Sequence, residues 1–194
     1  MGLWEAMSGR IKPKKANLDA LFLVPSAAIT LQTAAGILPT GSGSVCFRAA
    51  PGAAFAQTQA DVVELINADP NAPDVSVSQD RFGFTWLVVR KDPADMGGLC
   101  TDLHAVNTLL EEQDFGGGLL CSLIGFRAAQ SIPVGLVYLY KQGTFYPFAP
   151  AVGEDERRDN LLELQVRDHL AAELPMEPDL QRWMSLWGAP GLDD

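Results

Sequence analysis

Apolar positions along this 194-residue chain recur at two spacings, and the switches between them divide it into helices and strands. Leu18, Leu21 and Phe22 predict a short helix that Asn17 can cap. Pro25 cannot continue that helix but suits the first turn of the next, which runs to about Ala35 and stops at Gly36. Pro39 to Gly43 then reads as a turn, after which Val45, Phe47 and Ala49 alternate with Ser44, Cys46 and Arg48 as a half-buried strand does. Phe55, Val62, Val63 and Ile66 share a helical face that ends at the loop composition of Asp69 to Pro73. The period becomes two at Val75 and Val77, and the chain reverses between Asp80 and Gly83. Phe84 to Arg90 is apolar on both faces, which predicts a strand near the centre of a sheet.

The second half is more regular. Leu103, Val106 and Leu110 form the stripe of a helix over about Leu99 to Gln113, terminated by Gly116 to Gly118. Leu119 to Phe126 and Val134 to Tyr140 are near-continuous apolar strands. Lys141, Gln142 and Gly143 make a hairpin turn into a strand over Thr144 to Phe148, which Pro147 confines to a sheet edge. Asp159 caps a last helix carrying Leu162, Val166, Leu170 and Leu174, ended by Pro175. This order predicts an α+β fold: a single mostly antiparallel sheet of about six strands with helices packed on it. Residues 1–16 read as a basic N-terminal segment, 17–180 as the single domain and 181–194 as a C-terminal tail with Trp residues.

Composition sharpens this picture in three ways. With 47% hydrophobic residues the chain can bury a core without a metal or disulfide, and Cys46, Cys100 and Cys121, odd in number and set among apolar neighbours, read as buried free thiols. No apolar run reads as long enough to cross a bilayer and no secretory signal stands at the start, so a cytoplasmic location is expected. The net charge of −10 divides into +3 over residues 1–15 and −13 over the rest. Such an acidic body repels nucleic-acid phosphates, which disfavours nucleic-acid binding.

The basic N-terminus carries Leu3, Trp4, Met7 and Ile11 beside Arg10, Lys12, Lys14 and Lys15. That composition fits at most weak peripheral contact with the inner face of a membrane, where each basic residue contributes about 1 kcal/mol. A frayed terminal turn followed by a solvated linker fits it as well.

Candidate chemistry is sparse. Cys100 and His104 lie four apart on one helix, but two ligands do not close a metal site, and Asp102, the nearest orienting carboxylate, projects from another side of that helix. A small enzyme or ligand pocket around Cys100, Asp102 and His104 is therefore the alternative reading; His169 reads as a surface residue. The Gly/Ser-rich stretch at 39–43 lacks the lysine of a phosphate loop, and no cofactor is expected. Tyr138, Tyr140, Phe145, Tyr146 and Phe148 concentrate aromatics on one hairpin, and Leu180, Trp183 and Trp187 follow a helical stripe after Pro178. Both sets read either as packing within the domain or as a surface for a protein partner or a second copy in a homodimer.

Several stretches together carry a resemblance: Pro25 to Gly36, Gly43 to Arg48, Asp102 to Thr108, Leu136 to Phe148, Arg157 to Asn160 and Trp187 to Gly191. The chain resembles the PspA-associated protein PspAB family of actinobacterial envelope-stress systems. The resemblance implies association with PspA, a coiled-coil protein that supports damaged membranes, in the phage-shock response. It brings no catalytic or ligand residues with it. The order of elements is also similar to type III secretion chaperones and YbjN-like proteins, which are binding modules, and a non-enzymatic protein-binding role is the resulting expectation.

Overall fold

The computed structural model describes residues 17–48, 64, 73–112, 115–153 and 156–192. The expected basic segment with Leu3, Trp4, Arg10, Lys12, Lys14 and Lys15 lies outside these residues, as do Phe55, Val62, Val63 and Ile66 of the expected second helix. The chain opens with a 3-10 turn over Leu18–Leu23 that leads directly into helix α1, Val24–Ala35. Pro25 sits in its first turn and Gly36 ends it in the left-handed conformation (φ 64°). Asn17 does not cap through its side chain; its carbonyl instead accepts from the Ala20 amide at 3.1 Å and the Tyr138 hydroxyl at 2.8 Å.

Leu18–Ala35 is, against expectation, long and apolar enough to pass for a membrane span. In the fold it is a packed helix: Leu21, Val24, Ala27, Ala28 and Leu31 are buried, while Phe22, Leu23 and Ile29 are exposed.

One six-stranded sheet, antiparallel at every pairing, follows in the order β2-β3-β1-β4-β5-β6. Its strands are β1 (Leu38–Phe47), β2 (Ser76–Gln79), β3 (Thr85–Arg90), β4 (Leu119–Arg127), β5 (Pro133–Leu139) and β6 (Thr144–Phe148). The expected turn at Pro39 to Gly43 is instead the first part of β1, broken by a register shift between Pro39 and Gly43. Gly41 there has φ 77°, and a Cβ on it would lie 2.2 Å from the Lys91 carbonyl, so only glycine fits. A glycine-rich run thus marks a bulge in a central strand. The two central strands are β1 and β4, while β3 lies one place from the edge, with Thr85 to Val89 buried nonetheless. Pro147 does lie on an edge strand, where the lost N–H costs no ladder bond.

Helix α2 spans Met96–Glu112, starting earlier than expected because Asp95 accepts from the Gly98 amide at 2.9 Å and caps a first turn containing Gly97 and Gly98. Helix α3 spans Asn160–Leu170, with Asp159 Oδ1 accepting from the Leu162 amide at 3.0 Å as expected. It ends five residues before Pro175, and its buried positions are Glu163, Val166 and Leu170, so the apolar stripe is rotated from Leu162.

The strands alternate faces with period two. Val45, Phe47, Leu87, Val89, Ile124, Phe126, Val134, Leu136, Tyr138 and Phe145 pack beneath the helices. Cys46, Trp86, Val88, Leu123, Val137, Tyr146 and Phe148 point the other way, into a second core. Residues 181–192 cover that second core. Trp183, Ala189 and Leu192 are buried in it, so in packing the tail is continuous with the domain it was expected to follow. The expected helical stripe of Leu180, Trp183 and Trp187 does not form: only Leu180–Arg182 makes a 3-10 turn, and Leu180 is exposed.

Candidate functional site

Helix α2 carries Cys100, Asp102 and His104: Cys100 and His104 stand one turn apart, and Asp102 between them projects from another side. Cys100 is fully buried against the helix-covered core, and burial pushes its thiol up to about 12. Asp102 takes an ion pair from Lys91 at 2.9 Å, whose ammonium is raised above its ordinary value chiefly by that hydrogen bond. His104 lies at the surface, its ring 4.9 Å from Phe22 and its Nε2 3.5 Å from Asp19 Oδ1. Cys100 lies in the core while Asp102 and His104 each pair with a residue outside the trio, so the alternative reading of a shared pocket gains no support here. Among the described residues, no group of three or more His, Cys, Asp or Glu is placed to hold a metal.

The aromatic hairpin is core rather than surface. Tyr138, Phe145, Tyr146 and Phe148 are fully buried and Tyr140 is nearly so. The face alternation divides them: Tyr138 meets Phe145 at 5.1 Å in a tilted pair beneath the helices, whereas Tyr146 stacks at 5.9 Å on Trp183 and Phe148 lies at 4.9 Å edge-on to Trp187 beneath the tail. Desolvation raises all three phenols, Tyr138 and Tyr140 to about 12. A partner would have to unpack the domain to read these rings, since Trp183 is 6% exposed and Trp187 is half-buried. Of the two readings of these aromatics, packing within the domain is the one their burial fits, because both faces of the hairpin are covered.

What the tail-covered face assembles is a set of side chains that grip the tail backbone. Arg158 Nη1 donates to the Trp183 carbonyl, the Tyr146 hydroxyl to that of Met184 at 3.0 Å, Ser44 Oγ to that of Pro190 at 3.3 Å, and Arg127 Nη1 to that of Leu192. Trp183 returns a bond from its indole nitrogen to the Glu177 carbonyl at 3.1 Å.

Arg158 is the hub of this set. Its Nε donates to Glu163 Oε1 at 2.8 Å, and its guanidinium lies 5.2 Å from the Phe148 ring. Glu163, 2% exposed, also accepts from the Ala149 amide at 2.9 Å; burial raises its carboxyl and these donors only partly offset that. Small residues make room for the tail: a Cβ on Gly125 would lie 2.6 Å from the Gly191 carbonyl, and one on Gly135 would lie 3.1 Å from the Leu192 side chain.

Apart from Tyr146, none of these tail-gripping residues stands out in the sequence as a site. The signal that could have found them is the row of small residues at Ser42, Ser44, Gly125 and Gly135 on otherwise bulky strands, because a missing side chain on a buried strand marks a close backbone approach. Glu163 on the buried side of α3 is the second such signal.

No curated protein and no solved structure matches the chain. The family comparison agrees with the resemblance carried by the residues: the chain belongs to the family PspAB, described as PspA associated protein B, whose model matches residues 1–191.

Proposed function

We propose that this protein is a non-enzymatic partner or regulator of PspA in an envelope-stress response of the phage-shock type, acting from the cytoplasm near the inner face of the membrane. The single observation that carries the reading is the family match across residues 1–191, whose description names association with PspA. Two features of the molecule support a binding role over a catalytic one. The buried polar side chains Glu163, Glu177 and Ser44 bond within the fold, to Arg158 and Ala149, to Thr144, and to Pro190 respectively, which leaves them occupied as structural groups. Cys100, Asp102 and His104 face different surroundings, so a nucleophile, its base and an orienting group are not brought together there.

Titration of purified PspA into the purified full-length protein, followed by calorimetry, tests the reading. Saturable binding is expected, unchanged by His104→Ala or Asp102→Asn. Absence of saturable binding up to about 100 μM overturns direct partnership. Loss of PspA binding on either substitution, with the fold retained, would return function to α2.

A further inference from the structure

The tail does not fill the second face of the sheet completely. Between the strands, the Asp80 to Phe84 turn and residues 184–187 lies a cavity of about 200 Å3. Two local features of the ladder create it. Cys46 and Cys121 stand directly opposite each other on β1 and β4, so two small side chains meet where each neighbouring pair (Ser44 with Leu123, Val45 with Ser122, Phe47 with Leu119) has at least one larger member. A register shift at the next step, between Cys46 and Phe47, turns both Leu120 and Cys121 toward the tail side and widens the gap.

Trp86 and Tyr146 wall the cavity, and Phe82 and Met184, 56% and 59% exposed, stand at its lining where it meets solvent. The polar groups of Trp86, Asp80 and Tyr146 in its walls already bond inside the protein, and the hydroxyl of the exposed Ser185 is the one other side-chain oxygen in the lining. Trp86 Nε1 donates to Asp80 Oδ2 at 2.9 Å, Asp80 Oδ1 accepts from the Phe82 and Phe84 amides at 2.9 Å each, and the Tyr146 hydroxyl is held by the Met184 carbonyl. The thiols of Cys46 and Cys121 are weak hydrogen-bonding groups. A charged or strongly polar guest would therefore give up hydration without regaining it. An apolar guest loses nothing by the exchange, and a cavity of about 150 Å3 lined wholly by aliphatic and aromatic side chains stays dry and admits benzene.

We propose that this cavity is a binding site for a small uncharged hydrocarbon group, an aromatic ring or short alkyl chain, seated on Cys46 and Cys121 between Trp86 and Tyr146. Two indoles, Trp86 and Trp187, line it, so occupancy is readable directly. Bromobenzene, whose bromine quenches tryptophan fluorescence on contact, is titrated into the full-length protein beside 4-bromobenzoate, the same ring bearing a charge.

Saturable quenching by bromobenzene is expected, with 4-bromobenzoate weaker by at least about tenfold because its carboxylate finds no partner in the cavity. Leu139→Phe and Cys121→Leu each add carbons to the lining and should weaken bromobenzene by about tenfold while circular dichroism and melting temperature stay near wild type. Quenching that rises linearly without saturating, equal potency of the two compounds, or undiminished binding in a folded filled variant overturns the proposal. If both filled variants melt early, the wild-type melting temperature decides: a rise with bromobenzene alone supports the site, and no rise, or an equal rise with 4-bromobenzoate, overturns it.

Discussion

Beneath α1, α2 and α3 the sheet is covered by regular elements whose apolar stripes meet its side chains in one continuous core, whereas the opposite face is covered by residues 181–192, which follow no regular period. The helical cover is held by burial of many aliphatic side chains, a non-directional interaction distributed over its length. The tail is held by a few large anchors, Trp183 above all, and by side chains that donate to its carbonyls. The comparison teaches that an irregular segment can replace a helix as sheet cover when its backbone acceptors, which a helix would satisfy internally, are met by side chains from the sheet and from Arg158 just before α3. Such cover is dense where an anchor or a bond sits and thin between them, which is where the cavity opens.

Substitutions that remove an anchor break the tail-covered side hardest. Trp183→Ala is expected to destabilise by about 3–5 kcal/mol in urea unfolding, since it empties the end of the second core and frees the Glu177 carbonyl. A cost below about 1 kcal/mol would mean that the tail is not part of the cooperative unit. Arg158→Ala follows at about 3–5 kcal/mol, because it leaves the Glu163 carboxylate buried without its counter-ion. Glu163→Gln, which leaves the less deeply buried Arg158 guanidinium on its carbonyl acceptors in place of a buried unpaired carboxylate, should cost clearly less by the same measurement.

Gly125→Ala tests the close approach itself. The new methyl would meet the Gly191 carbonyl, and a loss of about 1–3 kcal/mol with increased proteolysis after residue 183 is expected.

Alkaline titration compares the two faces in one experiment. The chain has three tyrosines, all buried, with Tyr138 and Tyr140 under the helix-covered core and Tyr146 under the tail. Their phenols lie above the ordinary value of 10 in the folded state, so their contribution to stability is complete below pH 10 and is lost as pH rises toward 12. Absorbance at the phenolate band should stay flat at pH 10 and rise together with unfolding; early ionisation of a single tyrosine would show that one face opens independently. The smallest effect belongs to the surface: His104→Ala should change stability by no more than about 0.5 kcal/mol.

The order of elements along Asp102 to Pro150 was legible because each stripe or alternation there is long and uninterrupted, and the edge position of β6 followed from Pro147 alone. Pro39 to Gly43 looked like a loop but form a bulge in a central strand, and α2 was read as starting at about Leu99 but begins at Met96, in a turn capped by Asp95. In both places a long-range or capping contact outweighed local propensity. The aromatic hairpin was correctly placed on strands, and of its two readings the packed one fits, because side chains alternate across a sheet and both faces turned out to be covered.

Local periodicity and turn chemistry in the chain were sufficient to determine an α+β domain with one antiparallel sheet, since spacing of apolar residues records which side of each element faces a core. The tertiary structure alone decided that Cys46 and Cys121 oppose each other, that Arg158 joins Glu163 to the tail, and that residues 181–192 close the second face. Those relations depend on register between strands far apart in sequence and on bonds to backbone carbonyls, and a carbonyl carries no residue identity for a sequence to display.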